Sequence, residues 1–263
     1  MNCKNCKFSL RTDYSYCPAC GAKVIHERIT FKGLIHDFME RYFNVDNTFF
    51  RTIAHLYTKP EVVILGYLNG IRRKYLNPAA LLAIALSLSG AVLFIMKEFA
   101  WDTINFEAFS ASASNAETNR KMVAANMEYS SFIFLAYVPI IGLAGLLSLN
   151  AKKLSFVEHI ITAIYILANY SITSFFISVP TMLFIPEHYM TVSLLNLVFM
   201  MSYSLYVYWR MNEDYSAGLR MARSMIYVAI YMIGFFGTSV LTLIVNLLTG
   251  VIEFQDLLPP PPQ

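Results

Sequence analysis

The sequence predicts an all-α polytopic membrane protein with a small cysteine-bearing domain at its N-terminus, and three observations support that fold class. Of the 263 residues, 57% are hydrophobic and only 14% are charged, whereas soluble domains carry about 25% charged residues. Three stretches, 81–96, 131–149 and 225–248, contain no charged residue. All four cysteines lie within the first 20 residues. A soluble globular protein is excluded, because too few polar side chains are present to cover its surface.

The apolar stretches are long enough to cross a membrane as helices. A hydrocarbon core of about 30 Å requires about 20 apolar helical residues. Five stretches reach or approach that length, namely 79–96, 130–149, 159–184, 190–209 and 224–248. None alternates with the two-residue period of a barrel strand, so helices are the expected spanning structure. The sequence therefore predicts about five transmembrane helices in a bundle at residues 79–249.

The distribution of Lys and Arg predicts the orientation of the chain. If every span crosses, 17 of the cations share one side of the membrane and three lie on the other. The 17 comprise twelve in residues 1–78, two in the loop at 152–153 and three in the loop at 210–223. Cations concentrate on the cytoplasmic side of membranes. We therefore expect a cytoplasmic N-terminus and a C-terminal tail, residues 250–263 with Pro259–Pro262, on the outer side. A group of aromatic residues at the inner end of the fourth span is typical of an interfacial belt; it comprises Tyr203, Tyr206, Tyr208 and Trp209.

The four cysteines form two CxxC pairs, Cys3 with Cys6 and Cys17 with Cys20, separated by ten residues. Two such pairs supply four thiolates, which complete a tetrahedral zinc shell. A redox pair usually occurs as a single CxxC, and disulfides are disfavoured because this head faces a reducing cytoplasm. With four protein ligands no position remains to activate water, so we expect one structural zinc ion in a zinc ribbon at residues 1–28.

The segment between this head and the first span, residues 29–78, is amphipathic. Helix signals occur at Thr30, at Asp46-Asn47-Thr48 and at Pro60, each followed by apolar residues at spacings of three and four. Such helices can lie on the membrane with their cations toward anionic headgroups, or pack together as a small cytoplasmic bundle. The composition favours the membrane-surface arrangement.

One ordered motif occupies the second half of that segment. It consists of Arg51-Thr52, Leu56, Pro60-Glu61, Tyr67, Gly70, Arg72, Tyr75 and Asn77-Pro78. Together with the cysteine pairs, over roughly residues 1–90, this order resembles the DUF3667 family. The resemblance implies a bacterial membrane protein, typical of the Bacteroidota, with a zinc-ribbon-like head and no known reaction. It implies the bacterial inner membrane, in which the orientation predicted from the cations gives a cytoplasmic N-terminus and a periplasmic C-terminus.

Signals of catalysis are scarce, so no catalytic residue is predicted. The sequence has no phosphate-binding glycine loop, nucleophile elbow or HExxH motif. His36 with Glu40 and His55, and the neighbours Glu158 and His159, are more typical of surface or cap positions than of a reactive pair. The head carries a net charge of only about +3, which is small for a nucleic-acid-binding surface. The deep polar residues of the spans are neutral amides, which usually bond helix to helix; they are Asn169, Asn196 and Asn246.

These observations favour a non-enzymatic membrane adaptor or assembly subunit, whose head and interfacial helices bind a protein partner or lipid. The candidate docking residues lie on the cytoplasmic side of the first span; they are Arg51, Tyr67, Arg72, Arg73, Lys74 and Tyr75. The alternative is a small-solute transporter or a lipid-handling protein that uses the interior of the bundle. Membrane lipids are partners in either case.

Overall fold

The computed structural model of the protein describes residues 2–22, 24, 48–105 and 113–253. The helix predicted after Thr30, the pair of His36 and Glu40, and most of the proline-containing tail lie outside these residues. The chain divides into two compact units, Met1–Asp46 and Asn47–Gln263. The predicted boundaries at residues 28 and 78 stay a prediction, but the second unit begins within the segment between them.

The second unit is built from helices, and no β-strand occurs among the residues that the structure describes. A π-helical turn, Met96–Ala100, follows the α-helix that ends at Ile95, and a 3-10 turn, Pro186–His188, precedes the α-helix that begins at Tyr189. The α-helices are α1 (Thr48–Thr58), α2 (Pro60–Leu68), α3 (Pro78–Ile95), α4 (Ala113–Ser148), α5 (Phe156–Phe184), α6 (Tyr189–Met211) and α7 (Ala217–Leu248).

Four helical stretches are long and apolar enough to cross a membrane; they are Pro78–Ala100, Phe156–Phe184, Pro186–Met211 and Ala217–Leu248. The second predicted span lies in α4, which consists of two arms, Arg120–Met127 and Phe132–Ser148, at an angle of 82°. If these arms form one span, the described part of the chain has five. The prediction of an all-α polytopic membrane protein is therefore confirmed.

Short-range signals explain where the helices begin and end. Asn77 caps α3, because its side-chain oxygen accepts a hydrogen bond of 2.7 Å from the N–H of Ala80. At α5, Ser155 and Glu158 form a reciprocal capping box. α2 ends at Leu68, and two residues later Gly70 has a φ of +91°, a conformation that glycine adopts without strain. These caps satisfy backbone groups that cannot bond within their own helices.

The core of the unit surrounds α5, which contacts α3, α4 and α6. Half of the most apolar 18-residue stretch of α5 is buried, whereas only 6% of the corresponding stretch of α7 is buried. α7 packs mainly on α4 and leaves most of its apolar side chains on the outside. We conclude that α5 is the central helix and that most of the surface of α7 faces lipid.

α1 and α2 pack directly on the bundle. Leu56, Val63 and Ile64 are fully buried and belong to the same core as Tyr165 and Val207. The sequence favoured helices lying on the membrane surface over a separate cytoplasmic bundle. The structure instead directs the apolar faces of α1 and α2 against α5 and α6.

Candidate metal centre and docking segment

The four cysteines lie together at the N-terminus. Their Sγ atoms are all within 4.8 Å of one another. Cys3 Sγ lies 3.7 Å from Cys20 Sγ, and Cys6 Sγ lies 3.6 Å from Cys17 Sγ. Tetrahedral coordination with metal–sulfur bonds of about 2.3 Å places sulfurs about 3.8 Å apart. Two of the observed distances match this value, and all four sulfurs lie close enough together to bind one metal ion.

The two cysteine pairs have the same backbone structure. The N–H of Cys3 donates to the carbonyl of Phe8, and the N–H of Lys7 donates to the carbonyl of Cys3, at 2.8 and 2.9 Å. The corresponding bonds of the second pair, from Cys17 to Ala22 and from Gly21 to Cys17, are both 2.8 Å. Lys7 and Gly21 occupy equivalent positions and both have positive φ, 63° and 71°. Two matching turns therefore present the sulfurs, and glycine suits this position because it has no Cβ.

Hydrogen-bond donors favour the charged form of two of the sulfurs, those of Cys3 and Cys20, whereas at Cys6 the N–H of Phe8 lowers the pKa but the neighbouring thiols and burial raise it to about 12. Backbone N–H groups of Cys6 and Asn5 lower the pKa of the Cys3 thiol. The Asn5 side chain and the N–H of Ala22 lower the pKa of Cys20 to about 6. Since the thiolate is the form that binds metals, these donors prepare the site for a cation. The four cysteines could thus bind a metal ion.

The second site is the junction between α1 and the bundle. α1 ends just before Pro60, and a proline has no N–H to donate to the carbonyl four residues earlier, that of Leu56. The Tyr203 hydroxyl of α6 donates to this carbonyl at 3.1 Å. The Tyr206 hydroxyl donates to the next carbonyl, that of Tyr57, at 2.8 Å. Tyrosines of a spanning helix therefore satisfy carbonyls that the proline leaves unpaired.

The chain between α2 and α3 is fixed in the same manner. The N–H of Leu76 donates to the Thr52 hydroxyl oxygen, and the carbonyl of Leu76 accepts from the Tyr165 hydroxyl, both at 2.9 Å. His55 Nδ1 and the Tyr75 hydroxyl form a hydrogen bond of 2.7 Å. Residue 76 is thus bound to α1 on one side and to α5 on the other.

Two further contacts connect these helices with the spans. The guanidinium of Arg210 in α6 binds the Glu61 carboxylate through two hydrogen bonds, of 2.8 and 3.3 Å. The Tyr57 hydroxyl of α1 bonds the Thr173 hydroxyl of α5. The two hydrogen bonds between Arg210 and Glu61 fix the direction of their contact. α2 is therefore held in one orientation on α6.

The family comparison matches the segment that carries these contacts. Residues 46–90 match the model of DUF3667, a family of proteins of unknown function. The resemblance deduced from the motif is confirmed for these residues, which we call the DUF3667 segment; the cysteines lie outside the match. No curated protein and no solved structure matches the chain.

The predicted docking residues of the DUF3667 segment differ in exposure. Arg72, Arg73 and Lys74 are exposed, and Arg51 is half-buried. Tyr67 is half-buried and packs edge-on against Tyr165, with ring centroids 5.9 Å apart. Tyr75 is only 4% exposed, so its ring can support a docking surface but not form one.

The two aromatic rings lie beneath the cations of this loop. The guanidinium of Arg72 lies 5.7 Å from the ring centroid of Tyr67, and Lys74 Nζ lies 5.5 Å from that of Tyr75. Cation–π contacts of this kind are favourable by about 0.5–1 kcal/mol at exposed sites. The docking role of all six residues stays a prediction.

Sequence reasoning missed the residues that hold the DUF3667 segment. Tyr165 and Arg210 were not singled out, and Tyr203 was assigned to an interfacial belt, although its side chain is only 4% exposed. Tyr208 of the same predicted belt is fully buried against the ring of His159. The one available signal was Pro60, because a helix that ends before a proline leaves a carbonyl in need of a donor.

The remaining candidates have structural partners. Glu158 completes the capping box while His159 Nδ1 bonds the Tyr208 hydroxyl at 3.1 Å, so these neighbours point to different groups. The three amides bond other helices, as expected for interhelical contacts. The bonds are Asn169 to Tyr203 at 2.8 Å, Asn196 to Ser178 at 3.4 Å, and Asn246 to Asn126 at 3.3 Å.

Proposed function

We propose that the protein is a non-enzymatic adaptor or assembly subunit of the bacterial inner membrane, with its N-terminus in the cytoplasm and its C-terminus in the periplasm. Its DUF3667 segment docks a protein partner that carries an acidic surface. Its head contains one zinc ion, bound by Cys3, Cys6, Cys17 and Cys20, which stabilises the fold of that small unit.

One observation carries the docking proposal: the loop at residues 71–74 is exposed, whereas the chain on either side of it is fixed. Ile71 is 52% exposed and the three cations that follow it are exposed. Before the loop, the N–H of Ile71 bonds the carbonyl of Gly66 at 2.9 Å. After it, both backbone groups of Leu76 are hydrogen-bonded. A positively charged loop with fixed ends loses little conformational entropy on binding, which favours a specific partner.

Zinc is proposed for the head on the chemistry of its ligands. Four thiolates at tetrahedral spacing suit zinc, and a closed shell of four protein ligands is structural. A unit of this size cannot bury a core that stabilises it, so metal binding supplies much of its folding free energy. In the intact protein we expect about one zinc per chain by elemental analysis. Cys17→Ser should lose the zinc while the spans remain inserted, and iron in place of zinc would contradict the assignment.

The alternative, a transporter or lipid-handling protein that uses the bundle interior, depends on Asn169 and Asn196. Asn169 Oδ1 is buried and has no hydrogen-bond partner among the described residues, which favours a solute path. Three cavities open at the sides of the bundle, and none of these three is lined by either amide. The hydrogen bonds of both amides to neighbouring helices favour a packing role, so we prefer the adaptor.

Cross-linking in native membranes tests the docking proposal. The variant Arg72→Ala with Arg73→Ala removes two cations from the loop. Its matched control is Lys59→Ala with Lys153→Ala, since both lysines are exposed and lie on the same predicted side. Each variant therefore removes two cations from the predicted cytoplasmic side, so both have the same effect on the charge distribution that sets the topology.

We expect one cross-linked protein whose recovery falls at least about fivefold in the loop variant and is unchanged in the control. A fall of this size is about the effect of losing one strong cation contact. If every cross-linked protein is recovered equally from both variants, the loop is not a docking surface. If Asn169→Leu abolishes a function that the loop variant retains, the interior of the bundle is the site.

A further inference from the structure

A groove opens at the side of the bundle between α3 and α4. Its wider part is a cavity of about 600 Å³ near the end of α3, lined by Leu93, Phe94, Lys97, Trp101, Ala124 and Met127. A second cavity, of about 200 Å³, lies deeper between α3, α4 and α5. Leu93 lines both cavities. They therefore form one groove with a wide mouth and a narrow end.

The length of the groove corresponds to one leaflet of a bilayer. Its lining extends from Leu86 of α3 to Lys97 of the π-helical turn that follows, eleven residue steps that span about 16 Å at about 1.5 Å each. Half of a hydrocarbon core of about 30 Å is about 15 Å. The narrow end is lined by Ser89 and Ser171, near the middle of α3 and α5. The groove thus extends from the membrane surface to the bilayer midplane, in the leaflet opposite to residues 71–74.

The narrow end is lined by apolar side chains and by several hydroxyls. Its two central hydroxyls bond each other, with Ser89 Oγ 2.8 Å from Ser171 Oγ. Ser171 also donates to the carbonyl of Ala85 at 3.3 Å. Since these polar groups are already paired, they require no polar ligand. The narrow end therefore suits a hydrocarbon chain.

The mouth combines an aromatic ring with a cation. Lys97 forms no ion pair with any described residue. The nearby Arg120 binds Asp102 at 2.7 Å and lies over the Trp101 ring, 5.4 Å from its centroid. Glu98 is not among the residues that line the cavity. Lys97 is thus a cation at the membrane surface, beside a tryptophan of the kind that marks the headgroup level.

We propose that this groove is a binding site for one phospholipid of the surrounding bilayer. One acyl chain occupies the groove between α3 and α4, and the headgroup phosphate lies against the ammonium of Lys97. Because no carboxylate of the described residues lines the mouth, the site prefers an anionic phospholipid to a zwitterionic one. This inference does not depend on the proposed docking function, since the two sites lie at opposite ends of α3.

The protein contains a spectroscopic reporter for this site. Trp101 lines the mouth, and the second of its two tryptophans is Trp209. In the variant Trp209→Phe, all tryptophan fluorescence comes from the groove. The full-length variant is reconstituted in nanodiscs of unlabelled phosphatidylcholine that contain increasing fractions of brominated phosphatidylglycerol or brominated phosphatidylcholine, because bromine quenches tryptophan on contact.

We expect brominated phosphatidylglycerol to quench Trp101 at about one-fifth of the mole fraction needed for brominated phosphatidylcholine. This ratio corresponds to the attraction between one cation and an anionic headgroup. Lys97→Gln should abolish that preference, whereas Lys153→Gln, an exposed lysine near the other side, should keep it. Ala124→Phe fills the cavity and should reduce quenching by both lipids, whereas Ala83→Phe, an exposed alanine that does not line the groove, should not.

Two results would overturn the proposal. One is equal quenching by the two brominated lipids in the Trp209→Phe protein, which would mean non-selective contact with bulk lipid. The other is an unchanged preference after Lys97→Gln, which would assign the preference to another cation. The first result needs no further substitution, so it stands even where a groove variant fails to fold.

Discussion

Replacing Tyr203 with Phe tests whether tyrosine hydroxyls hold the DUF3667 segment on the bundle. The Tyr203 hydroxyl donates to the Leu56 carbonyl and accepts from Asn169 Nδ2, at 3.1 and 2.8 Å. Phenylalanine keeps the ring and its packing against Tyr57, whose centroid lies 5.1 Å away. The substitution therefore removes two hydrogen bonds and almost no volume. Pro60 cannot supply the missing donor.

The expected loss follows from the two groups that remain buried without a partner. A buried polar group that loses its partner costs about 1–3 kcal/mol in soluble proteins. Hydrogen bonds between membrane helices average about 0.6 kcal/mol, with measured values up to about 1.7. For two bonds we expect Tyr203→Phe to lower the free energy of unfolding by about 1–3 kcal/mol. Tyr206→Phe removes one bond of a half-buried hydroxyl, and its effect should be smaller.

Reversible unfolding in mixed micelles of a mild detergent and dodecyl sulfate, followed by circular dichroism, measures this loss. Tyr215→Phe is the matched control, because Tyr215 is half-buried and its hydroxyl bonds no described residue. A change below about 0.5 kcal/mol for Tyr203→Phe, the range of ordinary surface substitutions, would refute the argument. Equal changes in Tyr203→Phe and Tyr215→Phe would refute it as well.

Two further predictions concern topology and packing. In a cysteine-free variant, a cysteine at Ser114 should react with an impermeant thiol reagent from the periplasmic side, and one at Ser216 should not; labelling of both from one side would contradict the proposed orientation. Gly145→Ala should destabilise the bundle by about 1–3 kcal/mol, because its Cβ would lie 2.1 Å from Tyr208 Cζ. Gly237→Ala, with no atom within 4 Å of the new Cβ, should be neutral in the same unfolding assay.

The parts of the fold that follow from local chemistry could be predicted from the sequence. Apolar length predicted the spans, the first from residue 79 against the observed start at Pro78, and the signals at Asp46-Asn47-Thr48 and at Pro60 marked the starts of α1 and α2. The cysteine spacing predicted that four sulfurs lie together, because each CxxC turn positions its own pair. Each of these features depends on residues close to one another in the chain.

The partners of the DUF3667 segment could not be predicted, because they are far away in sequence. Tyr203 and Leu56 are 147 positions apart, and nothing in the local sequence of α6 distinguishes a tyrosine that bonds a carbonyl from one at the membrane surface. The amphipathic pattern of α1 is equally ambiguous, since an apolar face can bind lipid or other helices. Leu56 lies on such a face, and it packs on the bundle.

The three carbonyls that tyrosines satisfy show why this arrangement suits a junction between spans and surface helices. The carbonyls of Leu56 and Leu76 accept from buried tyrosines, and that of Tyr57 accepts from a half-buried one. In a region with little water, a free carbonyl is costly. Tyrosine can reach such a group from another helix while its ring fills apolar space. Since these bonds lie on both sides of residues 71–74, a partner bound to that loop would contact a part of the chain that is rigidly connected to α5 and α6.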